Sequence, residues 1–290
     1  MPEAVFHSHH PSETVEVAGL RIPQIFQPHV IEQNEPGTLA VALPTDFWGT
    51  DATKTYEDPR YFSGQHGAYQ EGYDLETRVA KYRDAIETTA AVWREHPGKY
   101  IDFGGGPGYF AWGVAQEAIK LGILKPEDVP QKVFVADVSS ISDEHVAQSE
   151  IQRIQTTLSD LPDQHRKGEF SIASCLHTME HIPREHVVPS IEAMYQAIAA
   201  HGVLYLIIPT LDGRIQKPEN KALYEQIMFD KTHVIFGTRN WWKKQFRNVG
   251  FQESAELEAL YDSRGYGWVF CFTKPDASSA LNTPREPNTV

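Results

Sequence analysis

The sequence predicts an α/β fold built on a mostly parallel sheet, and three observations carry that prediction. Short apolar runs with strand character alternate with helical stretches from about residue 75 to residue 274. The stretch Tyr100-Ile101-Asp102-Phe103-Gly104-Gly105-Gly106-Pro107-Gly108-Tyr109-Phe110 reads as a strand entering a glycine-crowded turn that opens a helix. Two of the strands carry an acid at or near their carboxyl end, Asp102 in the first and Asp137 in the second.

Composition narrows the function before any motif does. With 290 residues the chain is long enough for one large α/β core plus an appendage. Lys and Arg number 26 and Asp and Glu 39, a balance of −13, so a phosphate backbone is repelled and nucleic acid is not the expected partner. Cys175 and Cys271 each sit inside an apolar run, which argues for buried free thiols in a reducing cytoplasm rather than a disulfide framework. No run of eighteen apolar residues and no basic-then-apolar leader is present, so the expectation is a cytoplasmic protein with no membrane partner.

Residues 1–60, rich in Pro, His, Glu and Thr, read as an extended N-terminal arm. Such an arm can wrap its own domain or a partner subunit, which leaves a homodimer through the arm open. His7, His9 and His10 read as solvated. Residues 61–95 form an expected cap: Tyr61 to Tyr73 mixes aromatics with glycines ahead of one helix, Leu75 to Trp93, striped by Val79, Tyr82, Ile86 and Val92. Lys99 to Phe103 is a strand, Phe110 to Leu121 a helix, and Lys132 to Ala136 a strand closed by Asp137. Ile151 to Thr157 and Glu169 to Cys175 supply the third and fourth strands. Arg184 to Ala200 is a helix with Val188, Ile191, Tyr195 and Ile198 on one face. The strand Gly202 to Ile208 follows, then a polar insertion over 210–231, a helix from Arg239 to Val249 closed by Gly250, and a terminal antiparallel pair, Phe251 to Leu257 with Gly267 to Lys274. The tail over 275–290 has the composition of a disordered segment.

Two cofactor classes use a glycine turn of this kind. Gly106, Gly108 and Ala111 satisfy the spacing of the dinucleotide fingerprint. Read instead as Asp102-x-Gly104-x-Gly106-x-Gly108, the turn resembles motif I of class I S-adenosylmethionine-dependent methyltransferases. That resemblance covers roughly residues 61–274 and implies a Rossmann-like seven-stranded methyltransferase sheet whose last strand is antiparallel. It further implies that Asp102, Gly104, Gly105, Gly106 and Gly108 hold the methionine part of S-adenosyl-L-methionine, that Asp137 and Val138 meet the ribose, and that Leu176 lines the same cofactor site. The adenine-binding acid of the family falls here on Thr156 or Thr157, so Asp160 of Asp160-Leu161-Pro162 is the expected substitute. Tyr61, Tyr69 and Tyr73 would contact the cofactor or pack as ordinary aromatics.

His177-Thr178-Met179-Glu180-His181-Ile182-Pro183 follows the fourth strand. As a bare pattern it is the H-x-x-E-H of inverzincin peptidases, but Pro183 puts it at a helix start rather than within a long helix. The same residues resemble the E-H-(I/V)-P segment of small-molecule methyltransferases, and Asp230 to Val234 resembles a later part of that family, with His233 completing the site. Three roles compete for His177, His181 and His233: a general base toward a hydroxyl acceptor, ligands with Glu180 for a divalent metal, or partners for local backbone. The resulting expectation is methyl transfer to a small molecule, most readily to oxygen, with the aromatic arm, the insertion after Pro209 and the pair Trp241-Trp242 shaping the acceptor pocket, the two tryptophans being core residues in the alternative reading. An NAD(P)-dependent oxidoreductase and a non-catalytic scaffold subunit of the same fold are the alternatives.

Overall fold

The computed structural model describes residues 13–33, 35, 37–49, 51, 54–55, 74–140, 144–262 and 267–276. Tyr61, Tyr69 and Tyr73, the histidines at 7, 9 and 10, and the tail from 277 onward lie outside the described residues.

The chain begins with a hairpin of β1 (Thr14–Val17) and β2 (Leu20–Pro23), then β3 (Val30–Glu32) and β4 (Ala40–Ala42). The expected helix before the glycine turn is two helices, α1 (Leu75–Lys81) and α2 (Arg83–Glu95). Asp74 caps α1 by accepting the Thr77 amide at 2.8 Å. Tyr82 leaves helical geometry between the two and lays its ring edge-on against Phe110, 6.1 Å between centroids.

The central layer comes next. It contains β5 (Lys99–Phe103), α3 (Tyr109–Lys120), a short α4 (Val129–Lys132), β6 (Val133–Asp137), α5 (Glu144–Gln148), β7 (Gln152–Gln155), β8 (Phe170–Leu176), α6 (Arg184–Ala197) and β9 (Ile198–Ile207). Strand β9 starts four residues earlier than expected, on Ile198, which pairs with Phe170. The C-terminal part adds α7 (Lys221–Met228), β10 (Ile235–Gly237), α8 (Arg239–Val249), β11 (Gln252–Glu253), α9 (Ala255–Tyr261) and β12 (Val269–Thr273).

Seven of these strands form one sheet in the order β11-β12-β9-β8-β5-β6-β7. Strands β7, β6, β5, β8 and β9 run parallel, and β12 is antiparallel to β9. This is the expected Rossmann-like sheet. Because side chains alternate across a strand, both faces of β5 are consumed: Ile101 and Phe103 enter the core under α6 and α8, while Tyr100 enters the core under α2 and α3. Strand order reverses at β5, which feeds β6 on one side and has β8 on the other, so a ligand crevice belongs at the carboxyl ends of these strands.

Three further features bear on the sequence reading. The run after Gly250 yields only two strand residues before α9, where Ser254 caps the helix and Glu258 ties it to Arg239 at 2.7 Å and Lys243 at 3.3 Å. Trp241 and Trp242 are core residues, buried beneath β10 with the Trp241 indole donating to Glu32 at 2.6 Å, and they do not line the cavity. Residues 13–49 fold onto their own chain: β4 pairs antiparallel with both β3 and β10. A second core forms there, in which Phe26 touches Phe47, Trp48, Phe229 and Phe236 at centroid separations of 5.4–6.4 Å. Cys175 and Cys271 are buried free thiols, and no described helix is long and apolar enough to cross a membrane.

Phe26 has no exposed surface and joins the N-terminal segment to the 210–231 insertion. Phe26→Ala is expected to cost about 3–5 kcal/mol of stability in urea unfolding; a loss under ~1 kcal/mol would show that this second core does not support the fold.

Candidate active site

The glycine turn is held from below by hydrogen bonds to the neighbouring strand. Gly104 donates its amide to the Ala136 carbonyl at 2.7 Å, and Gly106 donates to Asp137 Oδ2 at 2.8 Å. Asp137 Oδ1 accepts the Ser139 amide, also at 2.8 Å. Arg153, reaching across from β7, donates to the Gly106 and Ser139 carbonyls and closes the clamp. Absent side chains matter at two positions. A Cβ on Gly104, which has φ +67°, would overlap Thr178, and one on Gly105 would stand 2.6 Å from Asp102 Oδ2.

Asp102 lies under this turn, 2% exposed, at the end of a buried relay. The Tyr100 hydroxyl meets Ser174 Oγ at 2.6 Å, and Ser174 Oγ donates to Asp102 Oδ1 at 2.5 Å. Burial pushes the Asp102 carboxyl up to about 7, with the Ser174 bond opposing and the nearby Asp137 charge adding to the rise. Burial also raises Asp137, against the pull of the Ser139 and Gly106 amides and of Arg153. Both acids therefore gain from a hydrogen-bond donor or a positive charge arriving in the crevice.

They border one cavity of about 920 Å³, large enough for a nucleoside cofactor and a second small molecule. The structure brings Asp102, Gly104, Gly105, Gly106, Asp137, Val138, Asp160, Leu176, His177, Glu180, His181 and His233 to its wall. Gly108 acts behind it, as the N-cap of α3. Asp160 accepts from Thr157 Oγ1 at 2.7 Å, so Thr157 and Asp160 form one polar edge at the point the sequence left between them.

Leu176 ends β8, and His177 then adopts φ +52°, an uncommon conformation for a residue with a side chain. Its Nδ1 meets Glu180 Oε1 at 3.2 Å. Glu180 is 1% exposed; burial raises its carboxyl, but the His177 bond and the three neighbouring imidazoles outweigh burial and hold it below the usual value. An ionised carboxylate only accepts, so His177 Nδ1 carries the proton and Nε2 is the remaining nitrogen.

The other two histidines are fixed by backbone. His181 Nδ1 donates to the Thr232 carbonyl and His233 Nδ1 to the Ile227 carbonyl, each at 3.0 Å, and His233 Nε2 lies 3.8 Å from Asp230 Oδ2. Burial, and then repulsion from His181, pushes His233 down to about 4, so it is a neutral imidazole near pH 7. Glu180, His181 and His233 offer ligand atoms all within 4.8 Å of one another. Glu180 Oε2 is buried with no hydrogen-bond partner among the described residues. That donor set fits a divalent cation, with the two carbonyls as outer partners that orient the rings. His177 stands outside this trio and touches it through Glu180.

Several wall residues carry no motif of their own, although the cap and the insertion that supply some of them were expected at the site. Arg78, Lys81 and Tyr82 reach the cavity from α1 and the break after it, Tyr205 from β9, and Tyr261 from α9, where it stacks on Tyr205 at 4.0 Å. Thr45 arrives from the N-terminal segment, and Leu223 and Ile227 from the insertion. Their helical or strand-like patterns read as core, because packing against a cavity and packing against a helix look alike in one dimension.

A family model described as a methyltransferase domain matches residues 73–254. No curated protein sequence matches the chain. Among solved structures, PigF with S-adenosylhomocysteine is similar at 15% identity and TM-score 0.53, over 81% of this chain and 66% of that one. The 1,6-didemethyltoxoflavin N1-methyltransferase of Burkholderia thailandensis is similar at 12% identity and TM-score 0.48, over 86% and 100%. Human N-acetylserotonin methyltransferase gives 15% and 0.47, over 80% and 62%. The chain thus belongs to the methyltransferase-domain family and has the class I methyltransferase fold.

Proposed function

We propose that this protein methylates a hydroxyl oxygen of a small molecule, using His177 as general base. The observation that carries the reading is the His177–Glu180 pair at 3.2 Å on the wall of a cavity it shares with the glycine turn. When bound, S-adenosylmethionine supplies a methyl group on a sulfonium, whose sulfur keeps the bonding electron pair as the new O–CH₃ bond forms. Asp102, Asp137 and the polar edge at Asp160 hold the ammonium, ribose and adenine. His177 Nε2 takes the acceptor's proton, and Glu180 stabilises the imidazolium through Nδ1–H. Nε2 of His181 and of His233 orients the acceptor oxygen. Aligned reactants provide most of the acceleration.

A second reading is favoured by Glu180 Oε2, which is buried without a partner. A divalent cation held by Glu180, His181 and His233 would orient the acceptor and lower its pKa, and His177 would then be a partner of a ligand rather than the base.

Calorimetry with S-adenosylhomocysteine and NAD separates methyl transfer from hydride transfer: the first is expected to bind and the second not. Asp102 holds an ammonium only when ionised. Affinity for S-adenosylhomocysteine should therefore fall as pH drops through about 7, by up to about tenfold per unit. Asp102→Asn should bind more weakly with a flat profile over that range; a pH-independent wild type would remove Asp102 from the ammonium site.

With a labelled methyl donor and a panel of hydroxyl acceptors, His177→Ala is expected to lower kcat by roughly 10²–10⁴ while leaving the Kd of S-adenosylhomocysteine unchanged. Insensitivity of kcat to His177→Ala, together with loss of turnover in EDTA that zinc or magnesium restores, would replace the base by the metal reading.

A further inference from the structure

Asp or Glu occupies eight positions on the described wall of the cavity, and Lys or Arg two, Arg78 and Lys81, both on α1. The cofactor assignment above uses Asp102, Asp137 and Asp160. Of the acids left over, Glu180 follows β8 and Asp230 ends the 210–231 insertion, and both meet the histidine pair. The rings of His181 and His233 stand edge to face with centroids 4.7 Å apart. Glu180 brings a carboxylate oxygen within 4.8 Å of a nitrogen on each ring, and Asp230 Oδ2 lies 3.8 Å from His233 Nε2. Each acid has one oxygen engaged by its own neighbourhood. Asp230 Oδ1 accepts the Thr232 amide at 2.8 Å and the Thr232 hydroxyl at 2.5 Å, and Glu180 Oε1 meets His177 Nδ1. The second oxygens are not so served. Glu180 Oε2 is buried with no hydrogen-bond partner among the described residues, and the approach of Asp230 Oδ2 to His233 is too long to be a hydrogen bond. Among the described residues neither acid pairs with a Lys or Arg. A desolvated carboxylate oxygen in such a place gains from a cation that can hydrogen-bond it.

Resting on the general-base reading above, we propose that the methyl acceptor is a hydroxylated amine, its ammonium held by Glu180 Oε2 and Asp230 Oδ2 while its hydroxyl meets His177. Glu180 then serves both ends of the acceptor, steadying His177 through Oε1 and the ammonium through Oε2. The same grip directs the methyl group. A protonated amine has no lone pair to attack the sulfonium, so an amine kept as ammonium by two carboxylates leaves oxygen as the nucleophile. An acceptor bearing a carboxylate or phosphate would instead bring like charge against this wall. Ile182 and Pro183, next to His181, and Ile227, whose carbonyl holds His233, supply apolar surface for the carbon frame.

Matched acceptors separate charge from shape. Tyramine carries an ammonium where 4-propylphenol carries a methyl group and 3-(4-hydroxyphenyl)propanoate a carboxylate; aminopropanol, butanol and hydroxybutanoate form an aliphatic set. Each is supplied with labelled S-adenosylmethionine, with and without EDTA, and the methylated atom of the product is identified by mass spectrometry. Within a set, kcat/KM for the amine is expected to exceed that for its methyl isostere by about tenfold to a hundredfold, the worth of charge-assisted hydrogen bonds, with the carboxylate left unmethylated. Asp230→Asn, which keeps an oxygen for the Thr232 amide, should cut that preference about tenfold, while a Kd for S-adenosylhomocysteine within about twofold of wild type is the control for folding. Equal turnover of amine and isostere, or an undiminished preference in the variant, would overturn the proposal and leave methylation of oxygen standing. Turnover abolished by EDTA and restored by zinc or magnesium would give Glu180 Oε2 to a metal and overturn it as well. A label on nitrogen, or on no member of either set, would remove the hydroxyl reading and this proposal with it.

Discussion

The bond from the Gly106 amide to Asp137 Oδ2 is the constraint on which the site depends. It joins the tip of β6 to the turn that leaves β5, and with the Ser139 amide and the Arg153 clamp it fixes two strand ends as a single rim. A turn made so largely of glycine has little intrinsic preference for one shape and costs more entropy to order than other residues. Here the order comes from outside, from a buried carboxylate whose two oxygens each take a backbone N–H. Asp102 is placed in the same way, by Ser174 of the adjacent strand β8, whose hydroxyl is held in turn by Tyr100 of Asp102's own strand.

The histidine-bearing end of the cavity depends on a second, smaller core. Residues 13–49 and the 210–231 insertion bury Phe26, Phe236, Tyr224 and Met228 together. That packing holds the chain at Ile227 and Thr232, whose carbonyls set the tautomers of His233 and His181. His181 follows strand β8, yet its ring orientation is set by the Thr232 carbonyl, 51 residues away in sequence. A methyltransferase sheet that is general to the family is thereby joined to a wall built from this chain's own N-terminal segment and insertion.

Much of this was legible in one dimension. Strand β5, the glycine turn, Asp137 and α8 stand where local pattern puts them, because each is specified by neighbours two to four residues away. Helix α8 is the clearest case, since Thr238 caps one end and Gly250, at φ +120°, ends the other. What escaped was set by distant contacts. Strands β4 and β10 have three residues each and pair with one another across some two hundred positions. Tyr82 sits on an apolar stripe, so nothing local marks the break that turns it to Phe110. The stretch after Gly250 alternates like a strand, but Ser254 and the ion pairs of Glu258 make most of it helix. Trp241 and Trp242 have the composition of a ligand pocket and the burial of a core.

The account as a whole requires one ligand to span both acids, its ammonium over Asp102 and its ribose hydroxyls at Asp137. A crystal structure of the complex with S-adenosylhomocysteine is the most direct measurement of that claim. It is expected to show the amino-acid end under Tyr82 and beside Gly104, with the ribose between Gly106 and Asp137. Electron density for the nucleoside anywhere else, or a ribose whose hydroxyls leave Asp137 bonded to the two amides alone, would contradict it.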